Sequence, residues 1–310
     1  MLIDSPLFKF INRGIYHENN KKLCYKFIAE VKWYGNKYYC KSKKCSGGKA
    51  KVKGYETIIN DPKWADYSRR CLRCKNVETP TAHTPLHGSN SITAFFEMVY
   101  IITEMQKERK VRINNEAISK ILTKHENRIS KSTIEKYRYQ IQNYLIDWEQ
   151  EYKDLPKIYG IEKFLLGGEK TKRWIYLLSQ FTQPRQIFAK IYSRDDYISF
   201  QNFLPKTFIN KSEKIILYDW GEVYPTLKNK KSKLKFSNEL LEYRNLLFDI
   251  RDSIIKWLKE INLSNEERVN GHINECIYVL YQDYFSPIQL LTLIIRNDLQ
   301  KVGNEDATRK

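Results

Sequence analysis

Cys40-Lys41-Ser42-Lys43-Lys44-Cys45 and, 25 residues further on, Cys71-Leu72-Arg73-Cys74 are two close thiol pairs in a basic stretch. A tetrahedral Zn²⁺ takes four thiolates, and two short turns that each present two of them supply such a site. The second pair has the standard spacing; the first is one or two residues wide, and the linker is somewhat long. From Lys32 to Lys53 there are eight Lys and no acidic residue. The spacing therefore predicts a structural zinc on Cys40, Cys45, Cys71 and Cys74, closing a basic module that could not bury a core by itself. The competing reading is four unrelated buried or surface cysteines. Cys24 and Cys276 have no partner at ligand spacing and read as small apolar side chains.

Around this stretch, 310 residues with 42% hydrophobic and 14% aromatic side chains suffice for one or two buried domains. That excludes a disordered tail and a disulfide mini-protein. The longest apolar stretches, Ile273–Leu280 and Ile288–Ile295, fall short of the roughly 20 residues of a bilayer-crossing helix, so no membrane span is expected. The first residues, Met1-Leu2-Ile3-Asp4-Ser5-Pro6, lack the basic start and apolar core of a signal peptide. An intracellular protein is expected, in cytoplasm, nucleoid or nucleus depending on the host, with its six cysteines not in disulfides. The net charge is +18, and residues 1–80 carry 18 basic against 7 acidic residues, a net of +11. A concentrated positive field attracts polyanions and releases counterions at phosphates, so nucleic acid is the first partner to consider. An AT-rich genome, which favours Lys, Asn, Ile and Tyr codons, would give a similar composition.

Residues 7–34 have helical spacing, with Leu23, Phe27, Ile28, Val31 and Trp33 near one face and a turn at Tyr34–Lys37. His83-Thr84-Pro85-Leu86-His87-Gly88-Ser89 reads as a loop whose histidines could be metal ligands but in such loops are more often ordinary polar side chains, and Ser91 or Thr93 can cap an apolar helix around Ala94–Met105. Asn114–Leu122, a polar break at Lys124–Arg128, and Ser130–Arg138 read as helix-turn-helix, with Lys131 at the start of the second helix and Arg138 and Gln140 along it. A helix entering a major groove has this look, and so do helical hairpins with no DNA role. Arg69, Arg70, Arg73, Lys131 and Arg138 are the candidate DNA contacts, each alternatively a solvated charge.

The chain changes character near Pro156. Trp174–Ser179 and Gln186–Tyr192 read as strands separated by a turn at Pro184, Arg194–Phe203 as a helix, and Lys214–Tyr218 as a buried strand ending in Asp219. A carboxylate at the carboxyl end of an interior strand is well placed to ligate a metal; the alternative is a turn-forming Asp before Trp220-Gly221. Ser237 caps a long amphipathic helix with Leu240, Tyr243, Leu247, Ile250, Ile254, Leu258 and Ile261 on one face. Lys228–Lys235, five Lys in eight residues, precedes it as a solvated loop or a phosphate contact. Asn270-Gly271-His272-Ile273-Asn274-Glu275 leads into an apolar helix, and Ser286-Pro287 starts another.

The order of these short motifs resembles that of the zinc-ribbon insertion-sequence transposases of the bacterial ISXO type and their eukaryotic relatives, the Merlin elements. Trp33 before Cys40, Arg70-Cys71-Leu72-Arg73-Cys74, and Thr84-Pro85-Leu86-His87-Gly88-Ser89 before an aromatic-rich helix resemble the family's ribbon and trailing helix. Ile161-Glu162-Lys163-Phe164-Leu165-Leu166-Gly167-Gly168 resembles its first catalytic strand, and Tyr218-Asp219-Trp220 with Tyr224 its second. His272-Ile273-Asn274-Glu275 and Phe285-Ser286-Pro287-Ile288-Gln289-Leu290-Leu291 resemble its last catalytic segment and the helix start that follows. The resemblance implies a multidomain α+β protein: an N-terminal helix and zinc ribbon in 1–80, a helical region with helix-turn-helix in 81–155, and an RNase-H-like α/β catalytic domain in 156–310 with a helical insertion near 228–262.

It also implies a transposase that binds double-stranded DNA at terminal inverted repeats as a homodimer and cleaves and joins strands by Mg²⁺- or Mn²⁺-dependent phosphoryl transfer. Glu162 and Asp219 would be metal ligands, Glu275 or Asn274 the third position, and His272 would orient the phosphodiester. The sequence departs from the family at Glu162, where Asp is usual, at Lys163, where an acidic residue is usual, and in a longer stretch between Asp219 and His272. Val279–Asp283 stand where a basic pair is usual. Asp147 and Glu149 are candidate substitutes. The rivals are a catalytically inactive, transposase-derived DNA-binding protein and an unrelated zinc-ribbon transcription factor.

Overall fold

The computed structural model describes residues 18–34, 38, 40, 42, 45, 54–89, 91–124, 129–145, 158–167, 172–180, 187–194, 198–199, 203, 214–218, 238–281 and 286–296. The chain is mixed α+β and divides into two compact units. Unit 1 comprises Met1–Met105, Ile113–Tyr144 and Phe285–Lys310; unit 2 comprises Gln106–Arg112 and Leu145–Tyr284.

The first described element of unit 1 is helix α1, Glu18–Lys32. Its buried stripe is Cys24, Phe27 and Ile28, continued by Ala29 and Trp33; Leu23 and Val31, expected on that face, are only half-buried. An antiparallel three-stranded sheet follows in the order β1-β2-β3, from Tyr55–Ile58, Ser68–Cys71 and Val77–Glu78. Lys32 at the end of α1 reaches Glu78 on β3 at 2.7 Å, with both side chains buried. The same ammonium donates to the carbonyls of Thr79 and Ala82 at 3.0 and 2.6 Å. A buried charge is tolerated when its donors are satisfied in this way, and the pair fixes the helix to the sheet.

Helix α2, Ile92–Tyr100, is apolar and almost wholly buried, as its composition predicts. Phe96 meets Phe27 of α1 edge-on at 5.8 Å. Ser91 sits at its N-cap without a side-chain cap bond, and the helix runs into a π-helical turn at Ile101–Met105. The helical hairpin is present as α4, Asn115–Lys124, and α5, Lys131–Gln142; the short α3, Gln106–Arg109, which precedes them in the chain, belongs to unit 2. Ser130 caps α5 by accepting from the Thr133 N–H at 3.2 Å. Ile118 and Leu122 of α4 and Ile134, Tyr137 and Ile141 of α5 are buried, and Tyr137 packs on Phe95 of α2 at 5.2 Å. A further helix, α8, covers residues 287–296. It starts on a reciprocal cap: Ser286 Oγ accepts from the Gln289 N–H at 3.3 Å while Gln289 Oε1 accepts from the Ser286 N–H at 2.8 Å.

Unit 2 is built on a four-stranded sheet in the order β6-β5-β4-β7, with β4 Ile158–Leu166, β5 Arg173–Gln180, β6 Ile187–Tyr192 and β7 Lys214–Tyr218. The first three strands are antiparallel, whereas β7 runs parallel to β4. Ile175, Tyr176, Leu177 and Leu178 of β5 are consecutive buried residues, the mark of an interior strand covered on both faces. Helix α6, Asn238–Leu258, contacts β4 and β5, and α7, Glu266–Tyr281, contacts β6 and α6. Of the expected stripe on α6, Leu247, Ile250, Ile254 and Leu258 are buried, joined by Trp257. The helix ends before Ile261. Of the helix expected over Arg194–Phe203, residues 198, 199 and 203 are helical and Arg194 is not. The Lys228–Lys235 run and Ser237 lie outside the described residues.

Candidate metal centre and polar sites

The four cysteines converge. Cys40 Sγ lies 3.5 Å from Cys74 Sγ and Cys45 Sγ 3.6 Å from Cys71 Sγ, and all four sulfurs fall within 4.8 Å of one another. A tetrahedron of sulfurs about 2.3 Å from a central Zn²⁺ has edges of about 3.8 Å, so the donor set already has the dimensions of the site. None of the four is in a disulfide.

Backbone turns hold them. The Cys45 N–H donates to Ser42 O at 2.8 Å, the Cys71 N–H to Asn76 O at 2.9 Å, and the Lys75 N–H to Cys71 O at 2.9 Å. Lys75 takes a left-handed φ of 58° to close the second turn. Gly54, at φ 115°, passes so close to Leu72 that a Cβ there would lie 2.8 Å from Leu72 Cδ1. The backbone N–H of Asn76 pulls the Cys74 thiol down to about 6, whereas burial pushes Cys45 up to about 12 and raises Cys40. Four sulfur donors, three of them buried, suit a soft tetrahedral ion and leave no open coordination position. The cluster also carries the module's small core, where Ala29, Trp33 and Tyr38 pack with Cys40, Cys45 and Cys71. A metal here would be structural. Among the described residues it is the one set of three or more potential ligands brought together; His83 and His87 are exposed and belong to no such set.

Of the five expected DNA contacts, two are corrected. Arg69 is only 8% exposed, its guanidinium stacked 4.6 Å from the Trp33 ring centroid and 4.0 Å from that of Tyr55. Burial lowers its pKa. Arg138 is 2% exposed and donates to Ile113 O and Asn115 Oδ1, both at 2.8 Å, tying α5 to the start of α4. Both guanidinium groups are structural, because the aromatic rings and the loop carbonyl that surround them take the place of phosphate. Arg70 is partly exposed and pairs with its cross-strand neighbour Glu56 at 3.2 Å. Arg73 and Lys131 are exposed at the second cysteine turn and at the first residue of α5.

In unit 2, Glu162 stands mid-way along β4, in register with Leu177 of β5 and with Tyr218, the last residue of β7. Its side chain is buried and accepts from Arg251 Nη1 of α6 at 3.1 Å. Arg251 also pairs with Asp252 at 3.0 Å and stacks on Phe248 at 4.4 Å. Burial alone would lower the Arg251 pKa, but the hydrogen bonds and charges of Asp252 and Glu162 outweigh it and the net direction is upward. Glu275 of α7 is fully buried; one oxygen accepts from Gln106 Nε2 at 2.7 Å and the other lies 3.6 Å from His272 Nδ1. Asn274 is buried with no hydrogen-bond partner for Oδ1.

Glu162, His272 and Glu275 therefore do not form a common ligand set among the described residues: Glu162 faces α6, and Glu275 faces α3 and His272. Asp219, Asp147 and Glu149 lie outside the described residues. Sequence reasoning missed Arg251 and Gln106. The available signals were a basic residue beside the apolar stripe of α6 and a polar residue directly after the apolar run that ends at Met105.

Among the described residues no helix is long and apolar enough to cross a membrane. Compared with protein-family models, curated proteins and solved structures, the chain finds no match.

Proposed function

We propose that this chain is a DNA-binding protein on a transposase-type scaffold: a zinc ribbon and helix-turn-helix that engage duplex DNA at the ends of an inverted repeat as a homodimer, followed by an RNase-H-like domain. The observation that carries the reading is the strand order β6-β5-β4-β7, three antiparallel strands with a fourth parallel to the first, in a chain whose four-cysteine module comes first. The resemblance implies a zinc ribbon first and an RNase-H-like α/β domain after it, and a mixed sheet following a four-cysteine module supports that reading. Exposed Lys131 and Arg73 supply the positive ends of such a surface, and the net charge of +18 supplies the field. Selection of bound fragments from a pool of random duplexes tests it. One enriched inverted-repeat sequence is expected, and recovery of an unenriched pool contradicts site-specific binding.

A second reading adds strand cleavage with Mg²⁺ or Mn²⁺ at Glu162, Asp219 and Asn274 or Glu275, with His272 orienting the phosphodiester. It is favoured by a buried carboxylate on β4 in register with Tyr218, the residue that precedes Asp219 in the sequence. Against it stands Arg251, whose guanidinium already supplies the positive charge a metal would bring to Glu162. We therefore read the chain as binding DNA without cutting it. Supercoiled plasmid incubated with the protein and Mn²⁺ should stay intact. Nicking that disappears in Asp219→Ala would establish the second reading.

A further inference from the structure

The groove between α1 and the β1–β2 hairpin consists of two open clefts that the same two elements line. One, of about 540 Å³, is walled by Lys21, Lys22 and Tyr25 of α1 and by Lys63, Trp64 and Asp66 of the connecting loop. The other, of about 340 Å³, continues along α1 past Lys26 to Tyr34 and is floored by Tyr55, Tyr67 and Arg69. Its basic groups outnumber its acidic ones, and the acidic ones are engaged: Asp66 accepts from the Asn60 N–H at 2.6 Å, and Glu30 lies 3.9 Å from Lys26. Lys22 is held towards the loop by Asn60 Oδ1 at 2.7 Å, and Lys63 lies over the Trp64 ring at 5.4 Å.

This alternation of ammonium groups with aromatic rings selects among ligands. The best cation-binding faces, those of Trp33 and Tyr55, are filled by the Arg69 guanidinium, so a cationic partner gains nothing there and meets a positive wall. Lysines alone would serve any polyanion. Ring faces add binding only to a polyanion that also has free π-faces, and in a duplex these are stacked away. Tyr34, 74% exposed, and Trp64, half-buried, are the rings at the groove; Arg296 lies 5.6 Å from the Tyr34 centroid and Lys63 5.4 Å from that of Trp64, so a base would stack on the remaining face of each ring with a cation beside it for the phosphate.

We infer that this groove binds a single DNA strand, its lysines holding the phosphates and its aromatic rings stacking on unpaired bases. That the strand is DNA rests on the function proposed above; the groove itself does not.

The test uses the full zinc-loaded chain with fluorescein-labelled oligo(dT) and a separate short duplex, read by fluorescence anisotropy. Trp64→Ala is expected to weaken oligo(dT) binding about tenfold, within the range measured for loss of one base-stacking ring, and to leave duplex binding within about twofold. Trp64→Phe should recover most of the loss. Tyr34→Ala changes an exposed side chain, so the fold survives it, and it should weaken oligo(dT) binding about threefold or more. Unchanged oligo(dT) affinity in Tyr34→Ala and in folded Trp64→Ala overturns the inference. Oligo(rU) bound more than about tenfold tighter than oligo(dT) overturns its assignment to DNA. Single-strand binding without duplex binding sustains the groove and overturns the duplex reading; duplex binding without single-strand binding does the reverse.

Discussion

Arg251→Ala should destabilise unit 2 far more than the loss of an ordinary exposed charge. The side chain it removes is 28% exposed, whereas the Glu162 carboxylate it pairs with is 2% exposed. Breaking a buried ion pair from one side costs about 3–5 kcal/mol, because the remaining charge stays desolvated. Partial solvent access at Arg251 places this case near the lower end, about 3 kcal/mol. In a unit of about 150 residues that lowers the melting temperature by about 6–12 °C. The origin of the loss can be isolated as well as its size. In a Glu162→Gln background there is no carboxylate charge to compensate, so Arg251→Ala should cost only about 1 kcal/mol, leaving a coupling of about 2 kcal/mol. Thermal unfolding of the four proteins, full-length and zinc-loaded, measures it. If Arg251→Ala costs the same in both backgrounds, Arg251 does not neutralise Glu162, and the case against a metal at that carboxylate is lost.

Other consequences can be measured directly. The purified chain should carry one zinc, and Cys71→Ser should lose it together with the environment of Trp33, which packs on the cysteine cluster; metal analysis and tryptophan emission read the two, and a Cys71→Ser variant that keeps its zinc contradicts the site. Arg138→Ala should destabilise unit 1 by about 2–3 kcal/mol through the loss of two charge-assisted hydrogen bonds, while duplex affinity of the folded variant stays within about twofold. A large loss of affinity without loss of stability would return Arg138 to the DNA surface.

The cysteine site was legible because its ligands are read from short spacings: two turns that each present a pair already fix most of the geometry, and the fold needs only to bring the turns together. The starts of α5 at Ser130 and of α8 at Ser286-Pro287 were readable for the same reason, since a helix start is marked by residues a few positions apart, whereas Ser91, read as a possible cap of α2, makes no side-chain cap bond. What stayed hidden depends on contacts between distant residues. Arg69 and Arg138 look solvated by residue type, and only the tertiary structure supplies the rings of Trp33 and Tyr55 and the carbonyl of Ile113 that bury them. Glu162 and Arg251 lie 89 residues apart, so their pairing has no local signature. Strand β4 followed only from the family resemblance; Gly160, Glu162 and Lys163 interrupt the apolar pattern that made β5 and β6 readable.

The claim that this chain is a DNA-binding protein is tested most directly by the salt dependence of its affinity for a duplex. Each phosphate neutralised by Lys or Arg contributes a slope of about −0.9 to log K against log salt. A steep slope is expected for the zinc-loaded chain, reduced by about 1 in Lys131→Ala and again in Arg73→Ala. Affinity independent of salt, or no duplex binding at low salt, would contradict it.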